Sequence, residues 1–175
     1  MSRTAIRMLV GALLAVTVLA GCSVRPGAAA VVDGHVISQD ELARTHTELG
    51  PLFQNPSPAQ VLTVLIIEPA VVKAAEDNGV GVSADQARTQ LATWAANAGL
   101  KDVPDYGPGT VAAARFQLAS TALQNLSNAS DVISAVTDEI SKETVSVNPL
   151  YGAWDAKNAG VTALTFPWIA GSATK

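Results

Sequence analysis

The sequence predicts a mainly α-helical domain of about five helices, with a small β element formed by an N-terminal hairpin and a C-terminal strand. Three observations support this fold class. Apolar residues recur at helical spacing through most of the chain, and Ser-x-x-Glu and Ser-x-x-Gln capping boxes mark helix starts. An Asp-Gly turn near the beginning is matched by a strand-like alternation near the end. At 175 residues, the chain has the length of one domain and a leader.

The first 21 residues have the pattern of a bacterial export signal. Arg3 and Arg7 form a basic start, and the 13 residues Met8–Ala20 are almost entirely apolar. This is the length of a signal-peptide core and is shorter than the about 18–20 residues of a membrane-spanning helix. We therefore predict a signal peptide over residues 1–21.

The leader ends in a short motif that resembles the lipobox of bacterial lipoproteins, Leu19-Ala20-Gly21-Cys22. The resemblance implies that the Cys22 thiol receives diacylglycerol and that the chain is then cut in front of it. Cys22 is the only cysteine, so an intramolecular disulfide is excluded. Lipid chains contribute roughly 0.8 kcal/mol per buried CH₂, so a multiply acylated, palmitate-type anchor holds stably. The alternative is a secretory signal or membrane anchor followed by a chance cysteine.

The mature chain expected after processing, Cys22–Lys175, is acidic. Without Arg3 and Arg7 it retains nine basic and fifteen acidic residues, a formal charge of −6. This balance argues against a nucleic-acid partner and against electrostatic adhesion to anionic lipid. We expect the domain to lie on the extracytoplasmic face of the cell membrane and to contact it through the lipid alone.

The mature chain divides into a tether over residues 22–29 and a folded domain over residues 30–175. An Asp33-Gly34 pair between two β-branched stretches predicts a hairpin. Capping patterns and apolar spacing then predict a succession of helices, closed by an alternating strand. The predicted helices cover about 39–49, 59–78, 84–97, 110–126 and 129–142, and the strand covers 144–147.

The second predicted helix is apolar almost all round, which suits a membrane span or a central core helix. Glu68 and Pro69 interrupt the apolar run early, so the sequence favours the core helix. Pro69 is expected to kink it, because the proline ring clashes with the carbonyl four residues back.

The sequence does not display the side chains of an active site. His35 and His46 are the only histidines, 11 positions apart, with no cysteine partner and no ligand spacing for zinc. No glycine-rich segment has the lysine and setting of a phosphate loop, and no nucleophile has a base in a recognisable arrangement. We therefore expect no enzyme, no metal and no cofactor.

The aromatic residues divide into two groups. Trp94 has the helical spacing of a core residue. Tyr151, Trp154 and Trp168 lie in the tail, where their rings either fasten the C-terminal strand to the helices or line a groove for a peptide. The sequence leaves these two roles open.

The stretch from Ala30 to Leu42, AVVDGHVISQDEL, resembles the opening of SurA- and PrsA-type chaperones. The tail, with Val147-Asn148-Pro149, Tyr151-Gly152 and Trp154-Asp155, is similar to that of actinobacterial lipoproteins with SurA-like N-terminal domains. Those tails commonly have a basic residue where this chain has Leu150, so a partner contact of the family at that position does not carry over to this chain.

The resemblance implies a helical domain that cradles unfolded or extended polypeptides. Some members of that family also carry a parvulin-type prolyl isomerase domain, but here the helices run directly into the C-terminal strand and leave no room for one. We therefore expect no isomerase activity. Two alternatives remain open. One is a structural or interaction lipoprotein with a single dedicated protein partner, and the other is an enzyme whose site the sequence does not display.

Overall fold

A computed structural model describes residues 25–164 and confirms a mainly α-helical fold with a small antiparallel sheet. Five helices and short strands at both ends match the predicted fold class. In chain order the elements are β1 (Ala28–Val32), β2 (His35–Ser38), α1 (Gln39–Leu49), α2 (Pro58–Asp77), α3 (Ala84–Asn97), α4 (Pro108–Gln124), α5 (Ala129–Ile140), β3 (Val145–Val147), β4 (Ala153–Asp155) and β5 (Gly160–Thr162).

The N-terminal hairpin and the C-terminal strand β3 form one antiparallel sheet in the order β2-β1-β3. Asp33 and Gly34 turn the hairpin with φ angles of 47° and 88°, as a type I′ turn requires. The Asp33 carboxylate also accepts a hydrogen bond from the Thr144 amide at 2.8 Å. The turn residue therefore holds β3 beside β1.

The sheet begins earlier than the sequence indicated. β1 starts at Ala28, so the last two residues of the predicted tether, Ala28 and Ala29, belong to the folded domain. Both are buried. Their methyl groups are small enough to be buried in the sheet, but alanine has no β-branched side chain that would indicate a strand in the sequence.

Helix α2 is the central element of the core. Leu62 and Ile66 are almost inaccessible to solvent, and α2 packs against α1, α4, α5 and the strands β1 and β5. By length and composition alone, α2 would also suit a membrane span. Pro69 lies inside the helix on an exposed side and does not end it.

Serine caps fix the starts of three helices. Ser38 accepts a hydrogen bond from the Glu41 amide at 3.0 Å, and Ser57 and Ser83 each form a reciprocal capping box with a glutamine three residues on. α1 and α3 have the predicted bounds, and the other helices differ by one or two residues at their ends. α4 begins at Pro108, because proline suits the first helical turn.

A second hairpin, β4–β5, was not predicted from the sequence. Its strands have three residues each, too few for a periodic pattern to show. The turn is held by the Asp155 carboxylate, which accepts hydrogen bonds from the Lys157 amide at 3.0 Å and from the Asn158 side chain at 2.7 Å. The Val161 amide then donates to the Thr63 hydroxyl at 2.9 Å, so the hairpin lies against α2.

Candidate functional site

The candidate site is an apolar groove between α2, α4 and α5, which we call the three-helix groove. Its volume is about 220 Å³, below the about 300–1,000 Å³ of typical small-molecule sites. It therefore has room for one or two apolar side chains rather than for a whole cofactor. The apolar side chains that line it are Ile67, Val71, Phe116, Leu123, Ile133, Val136, Ile140 and, from the turn between β4 and β5, Ala159.

The three-helix groove is built from stripes at helical spacing. α2 contributes Ile67 and Val71, one turn apart, and α5 contributes Ile133, Val136 and Ile140 at intervals of three and four. Ile140 is buried, but Ile133 is 45% exposed. The groove therefore opens to solvent along α5.

The polar atoms of the groove lining belong to neutral side chains. Ser120, Gln124 and Thr137 contribute two hydroxyls and an amide, and no lining residue is titratable. Such a surface can bury apolar groups and form a few neutral hydrogen bonds. It offers no acid, base or strong nucleophile for chemistry.

A second groove, between α2 and α5, is charged. Lys73, Asp77, Asp131 and Glu139 line it, around a volume of about 490 Å³. The Lys73 ammonium donates to Asp77 at 2.6 Å, and this hydrogen bond is the main cause of a raised pKa for Lys73. The residues that face this groove carry more negative than positive charge, in contrast to the neutral three-helix groove.

Glu48 joins α1 to the start of α4. Gly107 precedes α4 and has no side chain to cap it. Instead, the Glu48 carboxylate accepts hydrogen bonds from the Gly107 amide at 2.9 Å, from the Thr110 hydroxyl and from the Arg44 guanidinium at 2.7 Å. Burial tends to raise the pKa of Glu48, but the hydrogen bonds from Thr110, Arg44 and Gly107 outweigh it and lower the pKa.

A partly buried ion pair joins α2 to α4. Arg115 lies 3.4 Å from Glu68 and 3.4 Å from Glu76, and it also donates to the Val82 carbonyl at 3.1 Å. Burial raises the pKa of Glu68; the positive charge of Arg115 opposes this and Glu76 adds to it. None of these four residues lines the three-helix groove, so the ion pair has a structural place in the helix packing.

The tail aromatics within the described residues pack against the core. Tyr151 and Trp154 are half-buried against the cluster formed by β1, α1 and α2, and neither lines the three-helix groove. Both side chains therefore contact the helices through their buried parts, and a peptide contact through their exposed parts stays a prediction. The other sequence-predicted site residues lie outside the described residues: Leu19, Ala20, Gly21, Cys22 and Trp168.

Among the described side chains, neither His35 nor His46 belongs to a group that could hold a metal ion. His35 is exposed at the start of β2, and His46 is half-buried near the end of α1. Within residues 25–164, no group of three His, Cys, Asp or Glu side chains is placed to hold a metal ion.

The sequence reasoning missed the three-helix groove, and it placed the loop between α1 and α2 without the ring contact that Phe53 of this loop makes. Trp94, expected in the core, is half-buried and meets the Phe53 ring edge-to-face, with the ring centroids 5.0 Å apart. The Gly50-Pro51 pair after α1 was the sequence signal for this loop, but it marked only where the helix stops.

Comparison with known proteins gave no match. No protein-family model, no curated protein and no solved structure matches this chain. A functional assignment therefore depends on the groove and on the sequence motifs.

Proposed function

We propose that this protein is a membrane-anchored, chaperone-like lipoprotein that binds unfolded or extended polypeptides and has no isomerase or other enzymatic activity. The observation that supports it best is the three-helix groove, which is apolar and open to solvent at Ile133. The lipobox-like Cys22 supplies the anchor. The SurA-like stretch from Ala30 to Leu42 supports unfolded or extended polypeptides as the molecules that are bound, which we call clients.

The size of the groove predicts weak, sequence-tolerant binding. Fully burying one large aliphatic side chain yields about 1.5–3 kcal/mol, while association itself costs several kcal/mol. A groove for one or two side chains therefore holds a client briefly and releases it. Because no titratable side chain lines it, binding is expected to survive high salt, where charge pairs are screened.

Replacing Ile133 with lysine is expected to abolish the suppression of client aggregation. The charged head would lie at the mouth of the groove and would lose hydration whenever a client side chain entered. Ile133 is 45% exposed, so the substitution should leave the melting temperature nearly unchanged. The measurement is light scattering of a chemically denatured client diluted into an equimolar amount of the full chain, anchored on phosphatidylcholine vesicles.

Val103→Lys is the matched control for this assay. Val103 is 54% exposed in the loop before α4 and does not line the three-helix groove, so this variant should protect the client as the parent does. If the parent protein fails to suppress aggregation, or if both lysine variants behave alike, the chaperone proposal is wrong.

A second candidate function is an interaction lipoprotein with one dedicated protein partner. The observation that favours it is Leu150, which is 75% exposed in the turn between β3 and β4. Two hydrogen bonds join this turn to the sheet and to itself: the Asn148 side chain donates to the Ala28 carbonyl at 3.1 Å and accepts from the Leu150 amide at 3.0 Å. A large apolar side chain presented on a fixed turn suits a pocket on a partner.

The second candidate makes a separate prediction. If Leu150 docks into one partner, chemical cross-linking in cells should give a single stoichiometric adduct that Leu150→Ser reduces at least about tenfold, a loss of about 1.4 kcal/mol in binding. Val103→Ser is the control, because it also replaces an exposed apolar side chain with serine but at another site. Many weak adducts that are insensitive to Leu150→Ser would contradict the dedicated-partner function.

A further inference from the structure

A further groove lies between the loop that follows α1 and the C-terminal end of α3. It has a volume of about 520 Å³ and is lined by the loop that follows α1 and by the last turn of α3. Its polar and aromatic lining consists of Gln54, Asn55, Trp94 and Asn97. We call it the amide groove. It shares no lining residue with the three-helix groove, so a ligand bound here would be independent of the chaperone-like function.

The amide groove is held in shape by its own backbone. The Phe53 amide donates to the Leu49 carbonyl at 3.0 Å, and the Asn55 amide donates to the Gly50 carbonyl at 3.3 Å. The Phe53 ring in turn supports Trp94 edge-to-face. The loop backbone that carries Gln54 and Asn55 is therefore held before any ligand arrives, which lowers the entropic cost of binding.

Two consecutive residues of the amide groove have backbone conformations with a positive φ angle. Gln54 and Asn55 have φ angles of 48° and 54°, in the left-handed region, which asparagine tolerates but glutamine rarely adopts, so the strain lies mainly at Gln54. Such strain concentrates at functional sites, where it places a side chain that an ordinary turn would not. Here it places two amides on one wall of the groove.

The chemistry of the amide groove selects the class of ligand. No lining residue is charged, and Gln54, Asn55 and Asn97 each offer an amide donor and acceptor. The partial negative charge at two helix C-termini disfavours an anion. An organic cation would also be attracted to Trp94 and to the helix C-termini, but a tetraalkylammonium ion offers no acceptor to the amide N–H groups, whereas sugar hydroxyls both donate and accept.

We propose that the amide groove binds a neutral oligosaccharide. The apolar C–H face of one sugar ring packs on the exposed part of Trp94, and its hydroxyls exchange hydrogen bonds with Gln54, Asn55 and Asn97. The groove volume falls in the range of small-molecule sites. It suits a di- or trisaccharide rather than a single sugar.

Isothermal titration of the full chain tests the proposal. The protein is kept in a polyoxyethylene detergent, which has no sugar headgroup, and is titrated with the N-acetylglucosamine trimer, with maltotriose and with tetramethylammonium. We expect at least one trisaccharide to bind with one-to-one stoichiometry at millimolar or tighter affinity. Binding of neither trisaccharide, or of tetramethylammonium in their place, overturns the assignment.

The double variant Gln54→Gly/Asn55→Gly shows whether the groove is responsible. Glycine removes both amides and accepts the positive φ angles without strain, so the melting temperature should be equal or higher while sugar affinity falls at least about tenfold, or 1.4 kcal/mol. Gln117→Ala removes an exposed amide from α4 and should leave affinity unchanged. Unchanged affinity in the double variant overturns the proposal.

Discussion

Replacing Cys22 with serine is expected to abolish lipid attachment and to leave residues 1–21 on the chain. In bacterial lipoproteins, which the leader resembles, diacylglycerol is added to the cysteine thiol before cleavage. Serine has no thiol, so both steps should stop. Because Cys22 is the only cysteine, no other side chain can take its place.

The measurement is metabolic labelling with a fatty-acid analogue in a bacterial host, followed by mass spectrometry of the purified protein. The parent should carry the label and begin at Cys22, whereas Cys22→Ser should be unlabelled and keep its leader. Ser23→Ala, one position on, should behave as the parent. If the parent carries no label and both proteins are cut at the same position, the leader is an ordinary secretory signal. If the parent is not cut, the leader is a membrane anchor.

A lipid at Cys22 would also set where the groove operates. β1 begins at Ala28, only six residues after the proposed anchor, and six residues span at most about 20 Å when fully extended. The folded domain is therefore expected to stay close to the membrane surface. The three-helix groove, held near the membrane surface, would meet polypeptides as they emerge from the membrane, and its apolar lining suits unfolded chains.

The parts of the fold that local chemistry determines were predictable from the sequence. The Asp33-Gly34 turn and the Ser38 and Ser83 caps lie where they were expected, because each depends on residues within a few positions of one another. The core position of α2 followed from its apolar surface on all sides. The β4–β5 hairpin was not predicted because its three-residue strands are too short to show a periodic pattern, and because the bond from Val161 to Thr63 that joins it to α2 links distant positions.

The candidate site was not predictable, because a groove is a property of how helices pack. The spacing of Ile133, Val136 and Ile140 predicts an apolar face on α5, but not that Ile140 is covered while Ile133 stays open. The same limit applies to Tyr151 and Trp154, whose two roles differ only in the tertiary contacts that the structure supplies.

Glu48→Gln is expected to destabilise the fold by about 2 kcal/mol at pH 7. The neutral amide weakens the charge-assisted hydrogen bonds from Gly107, Thr110 and Arg44 and removes the negative charge that accepts directly from the start of α4. Thr110 is fully buried, so water cannot easily replace its partner. The measurement is urea unfolding of the full chain in detergent, followed by circular dichroism.

Glu139→Gln is the control for this measurement. It breaks an exposed ion pair with Lys142, and exposed pairs of this kind contribute little because solvent screens them. The substitution should therefore cost less than about 1 kcal/mol.

The pH dependence of the stability lost in Glu48→Gln tests whether the carboxylate charge is the cause of that loss. The pKa of Glu48 is lowered in the folded state from an ordinary value of 4.5, so the unfolded chain binds the proton more readily. The stabilisation is therefore present above about pH 4.5 and disappears as the pH falls through the folded-state pKa. The free energies of unfolding of the parent and of Glu48→Gln should converge in acid.

The raised pKa of Glu68 has the opposite effect on how stability changes with pH, but it is common to both proteins and cancels in their difference. A gap between the parent and Glu48→Gln that persists undiminished in acid would mean that packing, and not the carboxylate charge, holds α1 to α4.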